Sequence, residues 1–233
     1  MSLLTKIILL SFCGGLFCLD RIFIQVMISR PVVVAPVIGL LLDNPYAGFI
    51  IGALVELFWI DRIPVGTYIP PNDTIVAVLA TSIAVLAGQN HGGSNRELIA
   101  LAILLAVPFG IIAKYMEIFI IKSNNALSDQ ALEDAKTGNI KAIEQKNYFA
   151  LMKVFFITAL YLLIAQILLV PAVIWLYPKL GSPILNMLLL VYNFLPLLGI
   201  AVAINTIKLR GAVPVFCAIM LILVVAWEYF HVS

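Results

Sequence analysis

The residues best suited to chemistry are gathered in one stretch, ELFWIDRIPVGTYIPPND, which runs from Glu56 to Asp73. It carries four charged side chains and three prolines, and its flanks are apolar. Prolines and Gly66 interrupt regular helices, so we expect free backbone groups here. Carboxylates and amides bind hydroxyl groups, and rings such as Trp59 and Tyr68 face the carbons of sugars. The stretch therefore predicts a site for a neutral, hydroxyl-rich ligand.

The predicted ligand-binding residues are the polar and turn positions of this stretch: Glu56, Thr67, Pro71, Asn72 and Asp73. A structural alternative for Glu56 is an ion pair with Arg30 or Arg62, since an unpaired carboxylate in a membrane costs about 2.5–3.5 kcal/mol. The alternative for Asp73 is an N-cap of the helix that follows it. No catalytic residue and no metal ligand is predicted, and His91 is interpreted as an ordinary loop histidine.

The composition identifies the environment of this site. The chain has 233 residues, of which 63% are hydrophobic and 11% are charged, whereas a soluble domain carries about 25% charged residues. Uninterrupted apolar runs of about 20 residues cross a bilayer as helices. Such runs lie near 98–121, 149–177, 184–207 and 212–230, and a shorter one at 3–19 is interpreted as a retained membrane segment. The sequence therefore predicts an all-α, polytopic integral membrane protein, and no basic patch points to nucleic acid.

The elements that position the site are broken helices in the N-terminal half. Asp43-Asn44-Pro45 interrupts an apolar run, because proline disfavours the helical conformation in the residue before it. Such breaks survive at membrane depth only when they are buried in protein or line a wet cavity. Gly48, Gly52 and Glu56 then recur every four residues, which places them along one helix face. We expect this face to approach another helix closely and Glu56 to point away from lipid.

The C-terminal half is predicted to contain long spans, separated from the first half by an amphipathic loop at 122–148. Ser128 is expected to cap a short helix there, Thr137-Gly138-Asn139 to end it, and a second short helix to begin at Ile140. With Lys153, this interval holds five of the fourteen basic residues, and such an excess beside spans favours the cytoplasm. We interpret residues 1–233 as one membrane domain with this loop on the cytoplasmic side.

Three segments carry a resemblance to a known family. SRPVVVAPVIGLLLDN, GFIIGALVELFWI and PVGTYIPPND resemble the membrane permease subunit IIC of the mannose/fructose/sorbose phosphotransferase system. The matching positions are Asp20, Arg30 and Pro31; Gly48, Gly52 and Glu56; and Pro64, Gly66, Pro70 and Pro71. Aligned without a gap, the turn aspartate of the family falls on Asn72, and Asp73 follows one residue later. Gly48, Gly52, Gly66, Arg30 and Pro31 are accordingly interpreted as structural residues.

The resemblance implies a division of labour between subunits. IIC pairs with a second membrane subunit, IID, in the bacterial cytoplasmic membrane, and we expect a homo-oligomer of IIC–IID pairs. Soluble IIA and IIB proteins pass phosphate from phosphoenolpyruvate to the incoming sugar, so this chain is expected to need no cofactor. The alternatives are an ion-coupled or facilitative carrier that uses Glu56, Asp61 and Asp73, and a IIC-like subunit that has lost sugar transport. A membrane enzyme is disfavoured because no catalytic constellation is evident.

Overall fold

The computed structural model describes residues 2–62, 68–206 and 214–222, and within these ranges the chain is helical and contains no strand. The helices are α1 (Leu3–Leu19), which continues as a π-helical turn (Asp20–Ile24), α2 (Pro31–Leu41), α3 (Pro45–Phe58), α4 (Asp73–Asn90), α5 (Arg96–Lys136), α6 (Ile140–Leu176) with a 3-10 turn (Tyr177–Lys179), and α7 (Ser182–Thr206). Residues 214–222 are also helical.

Five helical segments of the described chain are long and apolar enough to cross a membrane: Leu3–Ile24, Asp73–Asn90, Arg96–Lys136, Ile140–Lys179 and Ser182–Asn205. By contrast, α2 and α3 have 11 and 14 residues, which corresponds to about 16 and 21 Å. Both are shorter than the hydrocarbon core of about 30 Å. The predicted all-α membrane class, with broken helices in its N-terminal half, is confirmed. Of the span expected near 212–230, the structure describes residues 214–222, which are helical.

Helix α4 occupies the centre of the bundle. Every residue from Asp73 to Gly88 is buried, because α1, α2, α3, α5 and α6 all pack against it. A helix that is apolar around its whole circumference is stable only in such a position. The N-terminus of α4 is therefore held from several sides, and the polar residues placed there are held with it.

Helices α2 and α3 form a tight hairpin, and the break predicted at Asp43-Asn44-Pro45 is confirmed as its tip. A Cβ atom added at Gly52 would lie 2.7 Å from the carbonyl oxygen of Pro31, and one at Gly48 would collide with the carbonyl oxygen of Ala35. The glycine face of α3 thus packs on the backbone of α2 within the same chain.

The tip of this hairpin is fastened to the C-terminal end of α4. Gln89 Nε2 donates to the carbonyl oxygen of Leu42 at 3.0 Å, and Asn44 Nδ2 donates to Ser94 Oγ at 3.2 Å. Lys6 Nζ in turn donates to Gln89 Oε1 at 2.8 Å. These bonds gather α1, the α2–α3 tip and the end of α4 at one end of the bundle.

The interval 122–148 is a helical hairpin, and the prediction of two short helices was wrong. Helix α5 runs without interruption for 41 residues to Lys136, so Ser128 lies inside it. No proline or glycine interrupts residues 111–137, and adding residues to an existing helix is easier than starting a new one. The turn at 137–139 is confirmed, and Asn139 caps α6 by accepting the Ala142 N–H at 3.2 Å. We call residues 122–148 the α5–α6 hairpin.

Candidate functional site

A cavity of about 480 Å³ opens where the extension of α1, the N-terminus of α4, α5 and α6 meet. Its wall includes Trp59, Tyr68, Pro71 and Thr158. Glu117 of α5 also lines the cavity, only five residues before the α5–α6 hairpin begins. The cavity therefore lies at the hairpin end of the spans, and the fastened α2–α3 tip lies at the opposite end.

Three ionisable side chains from three elements meet at the floor of this cavity. The Arg21 guanidinium forms an ion pair with Asp73 Oδ1, and its Nε lies 3.5 Å from Glu117 Oε1. Arg21 belongs to the π-helical turn that extends α1, Asp73 begins α4, and Glu117 lies in α5. Because an unpaired charge inside a protein is strongly destabilising, these groups hold the three helices together as well as lining the cavity.

Asn72 lies beneath this floor and holds Glu117 in place. It is the N-cap of α4, and its Oδ1 accepts the Ile75 N–H at 2.9 Å. Its Nδ2 donates to Glu117 Oε1 at 2.6 Å, and its backbone N–H donates to the Gly110 carbonyl at 3.0 Å. The expectation that Asp73 caps α4 is corrected, since Asp73 is the first helical residue and Asn72 is the cap. The side chain of Asn72 is fully buried, and its amide is hydrogen-bonded to Ile75 and Glu117 within the protein.

Among the residues that the structure describes, Asp73 and Glu117 each have one carboxylate oxygen that accepts no hydrogen bond. The Oδ1 atom of Asp73 accepts from Arg21 and from the Thr74 N–H, and the Oε1 atom of Glu117 accepts from Asn72. Within the described ranges, no donor reaches Asp73 Oδ2 or Glu117 Oε2. Both residues line the cavity although they are only 7% and 8% exposed. Two acceptors are thus available to a ligand with hydroxyl or ammonium donors.

Asp20 has a positioning role beside this floor. Its carboxylate accepts the N–H groups of Val26 and Ser29 and the Ser29 hydroxyl, each at 3.0 Å. The Ser29 carbonyl accepts the Thr74 hydroxyl at 2.7 Å. The carboxylate thereby folds the segment between α1 and α2 against the start of α4.

Glu56 is paired within the α2–α3 hairpin. Its Oε1 lies 3.3 Å from Arg30 NH1, and its Oε2 accepts the Val32 N–H at 3.4 Å. The sequence analysis gave an ion pair with Arg30 or Arg62 as the structural alternative for Glu56, and the structure shows the pair with Arg30. Arg62 instead contacts Asp61 at 3.4 Å. Glu56 is not among the residues that line the cavity.

Of the predicted site residues, the structure brings Pro71 and Asp73 to the cavity wall and places Asn72 behind it. Thr67 and Gly66 lie outside the described residues. Sequence reasoning missed Arg21 and Glu117. A signal for Glu117 existed, because it is the only acidic residue in the apolar run 98–121, and ionisable residues within spans mark functional sites.

His91 lies far from this cavity. It caps the C-terminus of α4, and its Nε2 is 3.1 Å from the Ile174 carbonyl oxygen. Asp73 begins the same 18-residue helix, so the two residues are separated by about 27 Å along its axis. The interpretation of His91 as a loop histidine agrees with this position.

In the described chain, five membrane-length helices, a short hairpin packed against the central α4 and a cavity with an ionisable floor define a polytopic helical membrane protein. The chain belongs to the family described as the PTS system sorbose-specific IIC component, whose model matches residues 4–228. It is therefore a multi-pass protein of the bacterial cytoplasmic membrane, and the resemblance found in the sequence is confirmed.

Individual relatives agree with this assignment. The fructose permease IIC component of Bacillus subtilis (strain 168) is 30% identical over 139 residues, which are 60% of this chain and 49% of the permease. The match thus spans about half of that relative. A solved "Structure of membrane protein" has a TM-score of 0.73 at 19% identity and covers 98% of this chain and 96% of its own. The mannose transporter ManYZ, solved in complex with microcin E492, has a TM-score of 0.62 at 19% identity. The match covers 93% of this chain and 85% of the ManYZ chain. These two structures show the fold alone.

Proposed function

We propose that this chain is the sugar-translocating subunit of a phosphoenolpyruvate-dependent phosphotransferase system and that it binds a hexose-like sugar in the cavity above Arg21, Asp73 and Glu117. The observation that carries the proposal is the pair of uncommitted oxygens, Asp73 Oδ2 and Glu117 Oε2. Adjacent sugar hydroxyls donate to such oxygens, and each hydrogen bond to a charged group contributes about 1.5–3 kcal/mol. Trp59 and Tyr68 on the wall supply apolar surface for the sugar carbons.

The distribution of basic side chains supports a cytoplasmic mouth for the cavity. The hairpin end carries Arg21, Arg30 and Arg62 together with the five lysines between 122 and 153, whereas the opposite end carries Lys6, Arg96 and Lys179. Membrane proteins place their lysine- and arginine-rich ends in the cytoplasm. A sugar above Asp73 is then open to the compartment that contains soluble phosphocarriers.

The phosphoryl group is supplied in this proposal by a separate IIB subunit, which receives it from IIA. The position of His91 supports such a division, because this histidine lies at the end of α4 opposite the cavity. The chain itself then binds the sugar, orients it over the two carboxylates and releases it toward the cytoplasm.

A IID-type membrane partner is the second component of the proposal. Residues 25–30, between the π-helical turn and α2, are irregular, and Val26 and Met27 expose their side chains there, next to the exposed Phe23 and Ile24 of the turn. Irregular backbone at membrane depth requires cover by protein or a wet cavity. Cover by IID at this segment, in a homo-oligomer of IIC–IID pairs, meets that requirement.

The test is sugar uptake by cells that contain the complete set of IIA, IIB, IIC and IID proteins. Asp73→Asn should reduce phosphoenolpyruvate-dependent uptake about tenfold or more at equal membrane abundance, because it converts a charged acceptor to a neutral amide. Glu133→Gln, at an exposed site in the α5–α6 hairpin, is the matched control and should leave uptake unchanged. Equal uptake by both variants would contradict the proposed site.

The same ionisable floor favours one alternative, an ion-coupled carrier in which Asp73 or Glu117 binds the coupling ion. The two functions differ in their energy source. Uptake that continues without phosphoenolpyruvate but stops when the proton and sodium gradients are dissipated would support the carrier. Uptake that stops without phosphoenolpyruvate would support the phosphotransferase function.

A further inference from the structure

We infer that Arg62 and Lys114, which flank Tyr68, form a binding site for a phosphoryl group beside the cavity. The site takes the phosphoryl group of a phosphorylated carrier protein that docks at the cavity mouth. The inference deepens the proposed function and rests on it for the source of the phosphoryl group. It assigns two basic residues on which binding of the sugar itself does not depend, and we call them the Arg62–Lys114 pair.

Lys114 is a basic side chain inside a membrane-length helix. It is the only basic residue in the apolar run 98–121 of α5, and ionisable residues within spans mark functional sites. Its ammonium lies 5.3 Å from the centre of the Tyr68 ring, and among the described residues it forms no ion pair or hydrogen bond. The sequence of 63–67, outside the described ranges, contains no carboxylate. Lys114 therefore has no counter-ion among the described residues.

The position of Lys114 on α5 directs it toward the cavity. Glu117 and Ile121 line the cavity, and positions 114, 117 and 121 share one helix face because they are three and four residues apart. Tyr115, which is 67% exposed, marks the outer face of the helix instead. Lys114 is half-buried, so its ammonium is held against the Tyr68 ring within the protein.

Tyr68 connects this lysine to a second cation and to the cavity. Tyr68 lines the cavity and is 40% exposed. Arg62 also lines the cavity, and its NH1 donates to Tyr68 Oη at 3.3 Å. One cation thus binds the hydroxyl of Tyr68 while the other lies on its ring. An anion that enters the cavity beside Tyr68 approaches both charges.

The charge of the Arg62–Lys114 pair favours an anion that carries two negative charges. Arg62 contacts Asp61 at 3.4 Å, but the Arg62 side chain is 53% exposed, and exposed ion pairs contribute little. Two cations and this one carboxylate leave a net charge of +1, since Arg30 on the cavity wall is paired with Glu56. A phosphoryl group carries a charge of about −1.5 to −2 and has three acceptor oxygens. It can therefore bind both cations at once, whereas a carboxylate needs only one.

A phosphoryl group held by this pair is next to the proposed sugar, because Tyr68 is part of the wall on which the sugar carbons pack. In the transfer, a sugar hydroxyl oxygen bonds to phosphorus while the bond between phosphorus and the carrier breaks. The carrier atom keeps the electron pair of that bond and takes the hydroxyl proton. Arg62 and Lys114 stabilise the charge on the phosphoryl oxygens during this step. We expect them to affect the rate of transfer and not the affinity for sugar.

The first experiment measures binding of radiolabelled inorganic phosphate to the chain purified with its membrane partner in a maltoside detergent, which contains no phosphate. Lys114→Met and Arg62→Met should each weaken phosphate binding about tenfold or more, as expected for the loss of a hydrogen bond to a charged group. Lys114→Arg should retain it. Lys179→Met is the matched control, because Lys179 also lies over an aromatic ring, that of Trp175 at 3.2 Å, but at the opposite end of the bundle. Its phosphate affinity should equal that of the wild type.

The second experiment measures phosphoenolpyruvate-dependent sugar phosphorylation by membranes that contain the complete set of IIA, IIB, IIC and IID proteins. Lys114→Met should lower the maximal rate about tenfold or more at equal abundance of the chain and leave the KM for sugar unchanged. Lys114→Arg should restore the rate, and Asp73→Asn should instead raise the KM. A merely structural role of Lys114 would lower abundance without this division between rate and KM. If Lys114→Met does not assemble, the exposed Arg62 provides the same contrast with Lys179→Met.

The outcomes separate the phosphoryl site from the function on which it rests. A wild-type complex that binds no phosphate, or Lys114→Met and Arg62→Met variants that bind it as tightly as the wild type, would overturn the phosphoryl site and leave the sugar site standing. Phosphate binding that phosphatidylglycerol abolishes, with lipid binding that requires Lys114, would assign the pair to a lipid headgroup. Weakened phosphate binding with a wild-type rate of phosphorylation would mean an adventitious ion only. Uptake that continues without phosphoenolpyruvate would refute the proposed function, and the pair would then have no phosphorylated carrier to bind.

Discussion

Asn72 and Asp73 are neighbours in the chain but have different tasks. Asn72 is fully buried and joins the first turn of α4 to Glu117, whereas Asp73 lines the cavity. The resemblance in the sequence led us to expect the turn aspartate of the family at Asn72, and in the structure the carboxylate that lines the cavity is that of Asp73. A difference of one residue at a helix N-terminus therefore separates a structural amide from a candidate ligand-binding acid.

The role of Asn72 predicts a large effect on stability. Asn72→Ala should lower the free energy of unfolding by about 2–4 kcal/mol, because it removes an N-cap and also the donor to a buried carboxylate. Asn139→Ala removes only the exposed cap of α6 and should cost about 0.5–1 kcal/mol. Denaturant unfolding in detergent, followed by circular dichroism, compares the two variants. Equal losses would show that the Asn72–Glu117 bond contributes nothing.

Arg21 predicts a contrast between a buried and an exposed arginine. Arg21→Met leaves Asp73 and Glu117 without their shared cation and should destabilise the chain by about 3–5 kcal/mol. Arg62→Met removes a side chain that is 53% exposed and should change stability by about 1 kcal/mol or less. The thermal midpoint of each purified variant provides the comparison. A midpoint for Arg21→Met as high as that for Arg62→Met would show that the two carboxylates need no counter-ion.

At the scale of elements, the α2–α3 hairpin substitutes for a transmembrane span. Neither helix crosses the hydrocarbon core alone, so the hairpin depends on contact with α4 and on the polar bonds at its tip. Its two helices approach closely because Gly48 and Gly52 present bare backbone to α2. The hairpin in turn positions Arg30 and Trp59 on the wall of the cavity.

Close packing within this hairpin predicts intolerance of even a methyl group. Gly52→Ala would place a Cβ 2.7 Å from the Pro31 carbonyl oxygen, and overpacking of this kind costs about 1–3 kcal/mol. Gly181→Ala is the control, since its Cβ would meet only Pro183 Cδ at an ordinary 3.6 Å. Membrane abundance and thermal midpoint should fall for the first variant and remain unchanged for the second. Wild-type values for Gly52→Ala would rule out this close approach.

At the scale of the whole molecule, the two ends of the bundle differ. One end is closed by the bonds among Lys6, Gln89, Leu42, Asn44 and Ser94. The other end contains the cavity and the α5–α6 hairpin. Such asymmetry, together with the uneven distribution of basic residues, suits a protein that presents its ligand to one side of the membrane.

The proposed orientation predicts the accessibility of single cysteines. Gln130→Cys in the α5–α6 hairpin should resist an impermeant thiol reagent in intact cells and react after the membrane is opened. Asn90→Cys at the opposite end should react in intact cells. Both positions are exposed on the protein, and the unsubstituted chain supplies the baseline for Cys13, Cys18 and Cys217. Ready labelling of Gln130→Cys in intact cells would reverse the orientation and place the cavity mouth outside.

The sequence by itself determined the features that depend on local chemistry. Long apolar runs predicted membrane helices, Pro45 predicted the helix break that the structure shows between α2 and α3, and Gly48 and Gly52 predicted a closely packed helix face. These features follow from hydropathy, proline geometry and glycine spacing, which act over a few residues. The same local reasoning failed at Ser128, where a good capping residue lies inside a continuous helix, since a cap has an effect only where the helix ends.

Only the tertiary structure decided which charges meet. Arg21 and Asp73 are 52 residues apart in the chain, and Glu117 lies on yet another helix. Their contact depends on how α1 and α5 pack around the N-terminus of α4, and no short pattern specifies that arrangement. The sequence could not choose between Arg30 and Arg62 as the partner of Glu56 for the same reason. Charge pairing follows distance in space, and that distance is fixed when the helices pack.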